Sequence, residues 1–328
     1  MNYLQQQLIA YIGNKRRLLP FLGKVFSGIA SEENPSFFDP FAGAGAVSRL
    51  AKQLGFRVHT NDWEFYSHVI NSAYVLVDES DTKTMFRDLG GIDAALQELQ
   101  RIGERGDIQP YIAAHYAPRR TATADYRRER LFYTRENALF IDAVRSQIEQ
   151  WYPEDSIDAV QKQEKYVLIA SLLYEAATHV NTSGVFKAFH KGFGGHGGDA
   201  LSRIMAPMRL ERPFLLDRQK TAGKHIASCM DAQKAAAGNS YDLVYLDPPY
   251  NGHQYGSNYF MLNTIARWDC PEVDNSYGAD GKLKFKAGIR SDWVETRSPY
   301  CSRSTAADAM EKLLDSMDSH YFIMSYNT

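Results

Sequence analysis

The sequence has few of the features that mark secreted, metal-binding or membrane proteins. Its 328 residues include only three cysteines, at positions 229, 270 and 301, and none of them forms the CxxC pair of a zinc site. An odd and widely spaced set predicts free thiols in a reducing compartment. The first residues lack the apolar stretch of a signal peptide, and no apolar run reaches the length of a membrane span. These absences predict a cytoplasmic protein that has no metal site.

The sequence also lacks an excess of charge of either sign. It has 37 Lys and Arg against 39 Asp and Glu, for a net charge of −2. Any site for a polyanion must therefore come from a local basic patch. The hydrophobic fraction of 44% is ordinary for a globular protein, and the length suits one large domain or two modest ones.

The two ends of the chain have the pattern of one α/β domain. An apolar run at 37–39 leads into a Gly-rich turn, which is followed by a helical segment at 47–54 and a strand candidate at 56–60. From about Lys224 the same pattern returns. Its candidates are strands at 226–230, 243–246 and 320–325 and a helix at 258–268. We therefore predict one α/β domain built from residues 1–78 and 223–328.

Residues 79–222 between these ends have a different pattern. Apolar residues recur three and four apart in 137–151 and 163–178, which predicts two amphipathic helices. The glycine-rich segment 191–198 is typical of a mobile loop. The middle of the chain is therefore predicted to be a largely helical insertion.

The Gly-rich turn and the next strand predict a ligand site. Gly43 and Gly45 lie between a strand and a helix, where missing side chains let the backbone approach a ligand. The turn lacks a full GxGxxG and a GK[ST], which argues against a pyrophosphate or P-loop site. Asp62 after the second strand could accept from ribose hydroxyls or cap a helix, and the sequence leaves both open. Together they indicate a ligand that contains adenosine.

Asp247-Pro248-Pro249-Tyr250 is the most specific motif. It follows the apolar strand candidate at 243–246, and its two prolines stop the strand and stiffen the turn. Asp247 and the Pro248 carbonyl can accept both N–H bonds of a planar amine while Tyr250 stacks on the ring. Preorganised acceptors of this kind stabilise the charge that develops during methyl transfer. A turn that merely ends a strand is the less favoured interpretation.

Three motifs in this order resemble the alpha-class, Dam-like N6-adenine DNA methyltransferases of restriction–modification systems and phages. They are the segments 11–19 (YIGNKRRLL), 39–45 (DPFAGAG) and 247–250 (DPPY), with weaker matches at 228–231 and 322–327. The resemblance spans the whole chain. It implies an α/β fold with a Rossmann-like S-adenosylmethionine-dependent methyltransferase sheet and an inserted, mainly helical target-recognition domain at 79–222.

The resemblance also implies roles for the matching residues. Asp247, Pro248 and Tyr250 would be catalytic. S-adenosyl-L-methionine would be the methyl donor and no metal would be needed. The residues expected around the methyl donor are Tyr11, Lys15, Asp39, Gly43, Gly45, Asp62, Asp231 and Asp247. For Lys15 the alternative is a surface lysine in a basic run that could contact DNA phosphates.

The insertion carries the candidate DNA contacts. Between positions 101 and 135 arginine outnumbers acidic residues, and such side chains can follow phosphates or read guanine edges. A charge run is also common on a merely solvated face. The expected DNA-binding residues are Arg119, Arg120, Arg127, Arg128, Lys187, Lys191, His253 and Tyr255. Arg130 belongs to the same run, and His190 and His196 are expected to be polar loop residues rather than metal ligands.

Some alternatives stay open at this stage. An N4-cytosine or an RNA-adenine substrate would suit the same turn. A protein-glutamine methyltransferase is a further alternative, but the aspartate at position 247 and the large basic insertion count against it. Members of the family continue past the strand at 322–327, so a chain that stops at Thr328 could be a catalytically impaired DNA-binding homologue with an exposed sheet edge. The expected partners are double-stranded DNA and, in a restriction–modification system, a cognate restriction endonuclease for the same site. The protein is expected to be a monomer.

Overall fold

The computed structural model describes residues 3–30, 33–106, 108–195, 198–217 and 224–326. The chain divides into two compact units, each assembled from separate stretches of sequence. The first, called unit 1 here, comprises Met1–Lys83, Pro213–Tyr255 and Val294–Thr328. The second, unit 2, comprises Thr84–Arg212 and Gly256–Trp293.

Unit 1 contains a five-stranded, entirely parallel sheet. Its strands are β1 (Ser36–Asp39), β2 (Arg57–Asn61), β3 (Ile226–Ser228), β4 (Ser240–Leu246) and β5 (Asp318–Met324). The order across the sheet is β3-β2-β1-β4-β5, and Phe37 pairs with both Val58 and Leu243. Strand order therefore reverses between β1 and β4, where open α/β sheets bind ligands. The predicted α/β, Rossmann-like sheet is confirmed.

Helices cover both faces of this sheet because its central strands are apolar on both sides. Successive side chains of a strand point to opposite faces. Phe37 accordingly packs with Phe26 and Phe56 in one core, whereas Phe38 packs with Val244 and Leu313 in another. The helices of unit 1 are α1 (Leu19–Ile29), α2 (Ala46–Gln53), α3 (Phe65–Asn71), α9 (Ala232–Ala236) and α12 (Ala306–Asp315).

Unit 2 is helical, apart from an isolated bridge between Tyr277 and Leu283. Its helices are α4 (Ile92–Arg105), α5 (Ile112–His115), α6 (Arg135–Trp151), α7 (Ala159–Thr178), α8 (Gly198–Met205) and α11 (Phe260–Arg267); the single turn α10 (Tyr255–Asn258) starts at the last residue of a unit 1 segment. The predicted helices at 137–151 and 163–178 begin slightly earlier than expected. Thr134 caps α6 by accepting from the Asn137 N–H, and Asp158 and Gln161 form a capping box on α7.

The compact units differ from the predicted domain bounds. Residues 256–293, expected in the α/β domain, belong to unit 2, and residues 213–222, expected in the insertion, belong to a segment of unit 1. The helix expected at 258–268 exists as α11, but its sequence gives no sign of the unit to which it belongs. Unit 2 is therefore built from two separate stretches of chain.

Several smaller expectations concern surfaces and loops. Among the described residues no helix is long and apolar enough to cross a membrane, and the three cysteines are free thiols. Residues 191–195 of the glycine-rich segment form turns, whereas His196 and Gly197 lie outside the described residues. At the edge of the sheet, β5 exposes Tyr321 and Phe322.

Candidate active site

Two adjoining cavities lie at the carboxyl ends of β1, β2, β3 and β4 in unit 1. The larger, called the large cavity, is lined by residues that include Asp62, Asp231, Pro248 and Tyr250. The smaller, the small cavity, is lined by residues that include Asp39 and Gly43. Because parallel strands end at the same edge of a sheet, residues from distant parts of the sequence meet here. Tyr11, Gly13, Lys15, Phe41 and Asp247 line both cavities.

The Gly-rich turn owes its shape to its glycines. Gly43 has a φ of +51°, and a side chain there would lie 2.7 Å from a ring carbon of Tyr11. Gly45 has a φ of +77°, and a side chain there would lie 2.5 Å from Asn71 Oδ1. Only glycine meets both requirements at these positions. Gly45 does not line either cavity, so its conformation serves the packing of the turn against α3.

Asp62 holds the turn rather than a helix. One carboxylate oxygen accepts from the Gly43 N–H at 2.8 Å and the other from the Glu64 N–H at 2.9 Å. Helix α3 begins only at Phe65 and receives no side-chain cap from Asp62. Of the two interpretations that the sequence left open, helix capping is therefore wrong. Burial raises the pKa of Asp62, and the hydrogen bonds from Glu64 and Gly43 oppose that rise.

Asp39 is the most deeply buried acid of the small cavity, with a relative exposure of 1%. Ser48 Oγ donates to its Oδ2 at 2.8 Å, while its Oδ1 is buried without a hydrogen-bond partner among the described residues. Burial raises the pKa of Asp39 to about 7, and the nearby carboxylates of Asp247 and Asp62 add to the rise. A buried oxygen of this kind is an acceptor that lacks a donor, which a ligand with an ammonium group would provide.

Lys15 forms an ion pair with Asp247. Its Nζ lies 2.6 Å from Asp247 Oδ2 and donates to the Gly13 carbonyl at 2.8 Å. The side chain of Lys15 is only 12% exposed, so the alternative of a surface lysine is wrong. Arg16 and Arg17 of the same run are exposed. Asn14 caps the short helical turn at Lys15–Arg17 by accepting from the Arg16 N–H.

Asp247 itself keeps one unused acceptor. Its Oδ1 is buried and has no hydrogen-bond partner among the described residues, while Lys15 occupies Oδ2. Burial raises the pKa of Asp247, and the charge of Lys15 opposes that rise. A carboxylate with one oxygen held and the other unsatisfied can accept a hydrogen bond from a bound amine.

Aromatic side chains form much of the cavity wall. The rings of Tyr11 and Tyr255 lie 5.3 Å apart, and the Lys15 ammonium lies 5.8 Å from the Tyr250 ring. Phe41 and Tyr300 meet edge to face at 4.9 Å. These rings provide flat faces for a purine or another planar ligand.

Sequence reasoning missed part of this wall. Thr296, Ser298 and Tyr300 line the large cavity, and Thr296 Oγ1 donates to Glu64 Oε1 at 2.9 Å. These residues come from the segment that follows the 256–293 excursion into unit 2, and no motif marks them. Phe41 and Trp63 also line the large cavity. They lie within two positions of the predicted site residues Asp39 and Asp62, so their place in the sequence could have predicted them.

The remaining predicted ligand residues occupy distinct environments. Asp231 lines the large cavity and also caps α9, accepting from the Gln233 N–H at 3.0 Å. His253 is exposed in unit 1, and Tyr259, left open as stacking group or core, is buried in unit 2. Within the described residues no group of His, Cys, Asp and Glu has the arrangement of a metal site.

The basic residues predicted to bind DNA lie on unit 2. Six of them are exposed: Arg119, Arg120, Arg127, Arg128, Lys187 and Lys191. Arg130 is the exception in the run, because it is only 2% exposed and donates to backbone carbonyls. The idea that Arg130 follows phosphates is therefore wrong.

Comparison with known proteins gives a consistent family match. A family model described as D12 class N6 adenine-specific DNA methyltransferase matches residues 11–318. Type II methyltransferase M.NlaIII of Neisseria lactamica is 34% identical over 319 residues, which cover 97% of this chain and 83% of that protein. Modification methylase StsI of Streptococcus sanguinis is 30% identical over 319 residues, 97% of this chain but 43% of that protein. No solved structure matches.

Proposed function

Because the chain belongs to the D12 class of N6-adenine-specific DNA methyltransferases, we propose that unit 1 transfers a methyl group from S-adenosylmethionine to an adenine flipped out of duplex DNA. The observation that carries this proposal is the pair of unsatisfied carboxylate oxygens on Asp39 and Asp247. They stand at the ends of neighbouring strands β1 and β4, where strand order reverses. Membership in this class supports adenine in DNA over the cytosine, RNA and protein substrates considered above.

The residues of the two cavities fit S-adenosylmethionine. Asp39 Oδ1 would accept from the ammonium of its methionine part, close to the backbone of Gly43. Asp62 would hold the ribose and Asp231 would lie by the adenine ring, since both line the large cavity. When bound there, S-adenosylmethionine supplies an electrophilic methyl carbon.

Asp247 would prepare the target amine for attack. Its Oδ1 and the Pro248 carbonyl accept the two N–H bonds, which favours the pyramidal nitrogen whose lone pair is available. Lys15 holds Oδ2, and its charge opposes the rise that burial causes in the pKa of Asp247, so it favours an ionised acceptor in a fixed orientation. Tyr250 would stack on the flipped ring. As the new N–C bond forms, the bond between the methyl carbon and the sulfonium sulfur breaks and S-adenosylhomocysteine leaves, while the nitrogen loses one proton, which Asp247 would accept.

Unit 2 would supply target recognition. Its exposed arginines and lysines are suited to phosphates and to guanine edges. The relatives named above are a type II methyltransferase and a modification methylase. By analogy we propose that this enzyme protects a recognition site that a cognate restriction endonuclease also reads, and that it acts as a monomer.

Product analysis tests this function. Duplex DNA free of modified bases is incubated with labelled S-adenosylmethionine, digested to nucleosides and analysed by mass, with RNA and a protein mixture as parallel substrates. We expect N6-methyladenine in duplex DNA at one recurring sequence. N4-methylcytosine, label only in RNA or protein, or no label despite cofactor binding would each contradict the proposal.

A further inference from the structure

A hairpin at residues 274–286 stands out in unit 2. Tyr277 and Leu283 form an antiparallel bridge, and the Gly278 N–H donates to the Lys282 carbonyl at 2.8 Å. The Gly281 N–H closes the tip by donating to the Gly278 carbonyl at 3.0 Å, with a φ of +71° at Gly281. Motif reasoning assigned this stretch to the α/β domain and expected no binding role for it.

Arg130 fastens both arms of the hairpin. Its guanidinium donates to the carbonyl of Asp274 at 2.7 Å on one arm, and to those of Phe285 at 2.8 Å and Lys286 at 3.0 Å on the other. It also donates to Asn275 Oδ1 at 2.6 Å. A guanidinium presents its donors in a rigid planar fork, so these bonds fix the two arms relative to each other.

The same hairpin lies directly against the exposed basic pair at 127–128. The Leu283 N–H donates to the Arg127 carbonyl at 2.9 Å, and Tyr277 Oη donates to the Arg128 carbonyl at 3.1 Å. These contacts use the backbone of the pair. The charged side chains of Arg127 and Arg128 remain exposed beside the hairpin.

Positive charge collects where the hairpin meets this pair. Lys282, Lys284 and Lys286 are exposed, and Lys282 pairs with Asp280 at 2.7 Å. Hydrogen bonds from Ser276 and the charge of Lys284 lower the pKa of the exposed Asp274 on the same hairpin. The Arg127 guanidinium lies 5.6 Å and the Lys191 ammonium 5.8 Å from the Tyr126 ring. Hydrogen bonding from Arg127 lowers the pKa of the Tyr126 phenol, and the charges of Lys191 and Lys286 lower it further. Cations from three separate segments therefore converge on one surface.

We propose that the hairpin at 274–286, together with Arg127, Arg128 and Lys191, forms a phosphate-contacting surface for duplex DNA, in which Lys284 and Lys286 take part. The choice of DNA as the polyanion rests on the proposed function. Lysine is a point charge on a flexible stem, which suits a phosphate better than the two-point contact with a base edge. The Arg130 network holds the backbone in place, so less conformational entropy is lost when DNA binds.

Salt-dependent binding of the full chain to DNA tests this surface. The double variant Lys284→Ala/Lys286→Ala is compared with Lys24→Ala/Lys312→Ala, which removes the same charge from exposed positions on α1 and α12. Two unmethylated duplexes are used: one contains the sequence that product analysis identifies as the methylation site, and the other lacks it. We expect the hairpin variant to weaken binding to both duplexes by the same factor and to reduce the slope of log affinity against log salt by about 2. Lys284→Glu/Lys286→Glu should reduce it further, and the control variant should leave it unchanged.

Two results would overturn the proposal. An unchanged salt slope in both hairpin variants would place these lysines away from the phosphates. A loss confined to the duplex with the recognised sequence would mean that the hairpin reads bases instead. Methyl transfer to duplex DNA by the unaltered chain, measured separately from binding, distinguishes this test from that of the proposed function. An unaltered chain that binds DNA but never methylates it would refute the enzyme assignment and leave the hairpin result standing.

Discussion

The cavities of unit 1 and the hairpin surface of unit 2 use charge in opposite ways. The cavities hold acidic side chains that are buried and keep unsatisfied acceptors, as Asp39 and Asp247 do. The hairpin surface holds basic side chains that are exposed, and its single buried cation, Arg130, uses its donors on the backbone. A buried carboxylate can be selective for one small cation or amine, whereas exposed cations suit an extended polyanion.

The two regions also differ in what holds them in place. Strand ends position the acids of unit 1, so their separation is set by the spacing of a parallel sheet. Unit 2 has no sheet among its described residues, and a side-chain network around Arg130 takes that role for the hairpin. Changes at a strand end should therefore alter chemistry more than stability, and a change at Arg130 should do the reverse.

The largest effect is expected from Asp247→Ala. The variant removes the proposed acceptor for the target amine, so turnover should fall by about 10²-fold to 10³-fold or more. Melting temperature should fall as well, because Lys15, whose side chain is only 12% exposed, loses the partner of its ion pair. Rates and thermal unfolding are measured beside Asp242→Ala on β4, which removes the acceptor of two hydrogen bonds from Ser36 and should lower stability while keeping turnover. Substantial turnover by a folded Asp247→Ala protein would refute the catalytic role.

A smaller effect, on stability, is expected from Arg130→Met. Four carbonyls and one amide oxygen lose their donor, which should cost about 3 kcal/mol. Hydrogen exchange at the Leu283 amide should become faster, since the hairpin loses its fastening. Arg128→Met, at an exposed position, is the matched control and should change stability by less than about 0.5 kcal/mol. Equal exchange rates in the two variants would show that Arg130 does not hold the hairpin.

The smallest expected effect is that of pH on the affinity for S-adenosylmethionine, through the protonation of Asp39. Burial raises its pKa to about 7, so an ammonium of the cofactor should bind more tightly as pH rises through that value. Affinity for S-adenosylmethionine should be about tenfold weaker at pH 6 than at pH 7.5, where an α-amino group is still largely protonated. Stability should move the other way, because the contribution of protonated Asp39 is complete below about pH 4 and is lost as pH rises through about 7.

Calorimetric titration of Asp39→Asn provides the comparison for that prediction. Asp62 and Asp247 also have raised pKa values, so the informative quantity is the difference between the variant and the unaltered protein. The variant should bind weakly and with less dependence on pH. An identical pH profile in both proteins would assign the proton to another group.

Much of unit 1 was predictable because its signals are local. Apolar runs predicted β1, β2, β4 and β5 to within about three residues at each end, and the motif order placed the Gly-rich turn and Asp247 in one site. The parallel pairing of β1 with β4 brings the ends of these two strands together. The sequence did not predict that residues 296–300 line the cavity, because they follow the stretch 256–293 of unit 2 and carry no motif.

The basic run at 119–130 was less predictable because charge in a sequence does not show where a side chain lies. Arg127 and Arg130 are both arginines and lie only three positions apart in the sequence. Arg127 is exposed beside a hairpin, while Arg130 is buried and donates to three carbonyls that are more than 140 positions away in sequence, as well as to the nearby His115 carbonyl. The periodicity of a sequence does not predict hydrogen bonds between residues so far apart in the chain.

The sequence by itself determined the fold class, the reaction class and the positions of the strand-end acids, because hydrophobic pattern and stiff turns act over a few residues. Tertiary structure alone decided three other features. It paired Lys15 with Asp247, left Asp39 Oδ1 without a donor, and assigned 256–293 to unit 2 with Arg130 at its hairpin. The physical reason is that burial and hydrogen-bond pairing depend on which distant segments pack together, and those contacts set the pKa values and the orientation of each charged group.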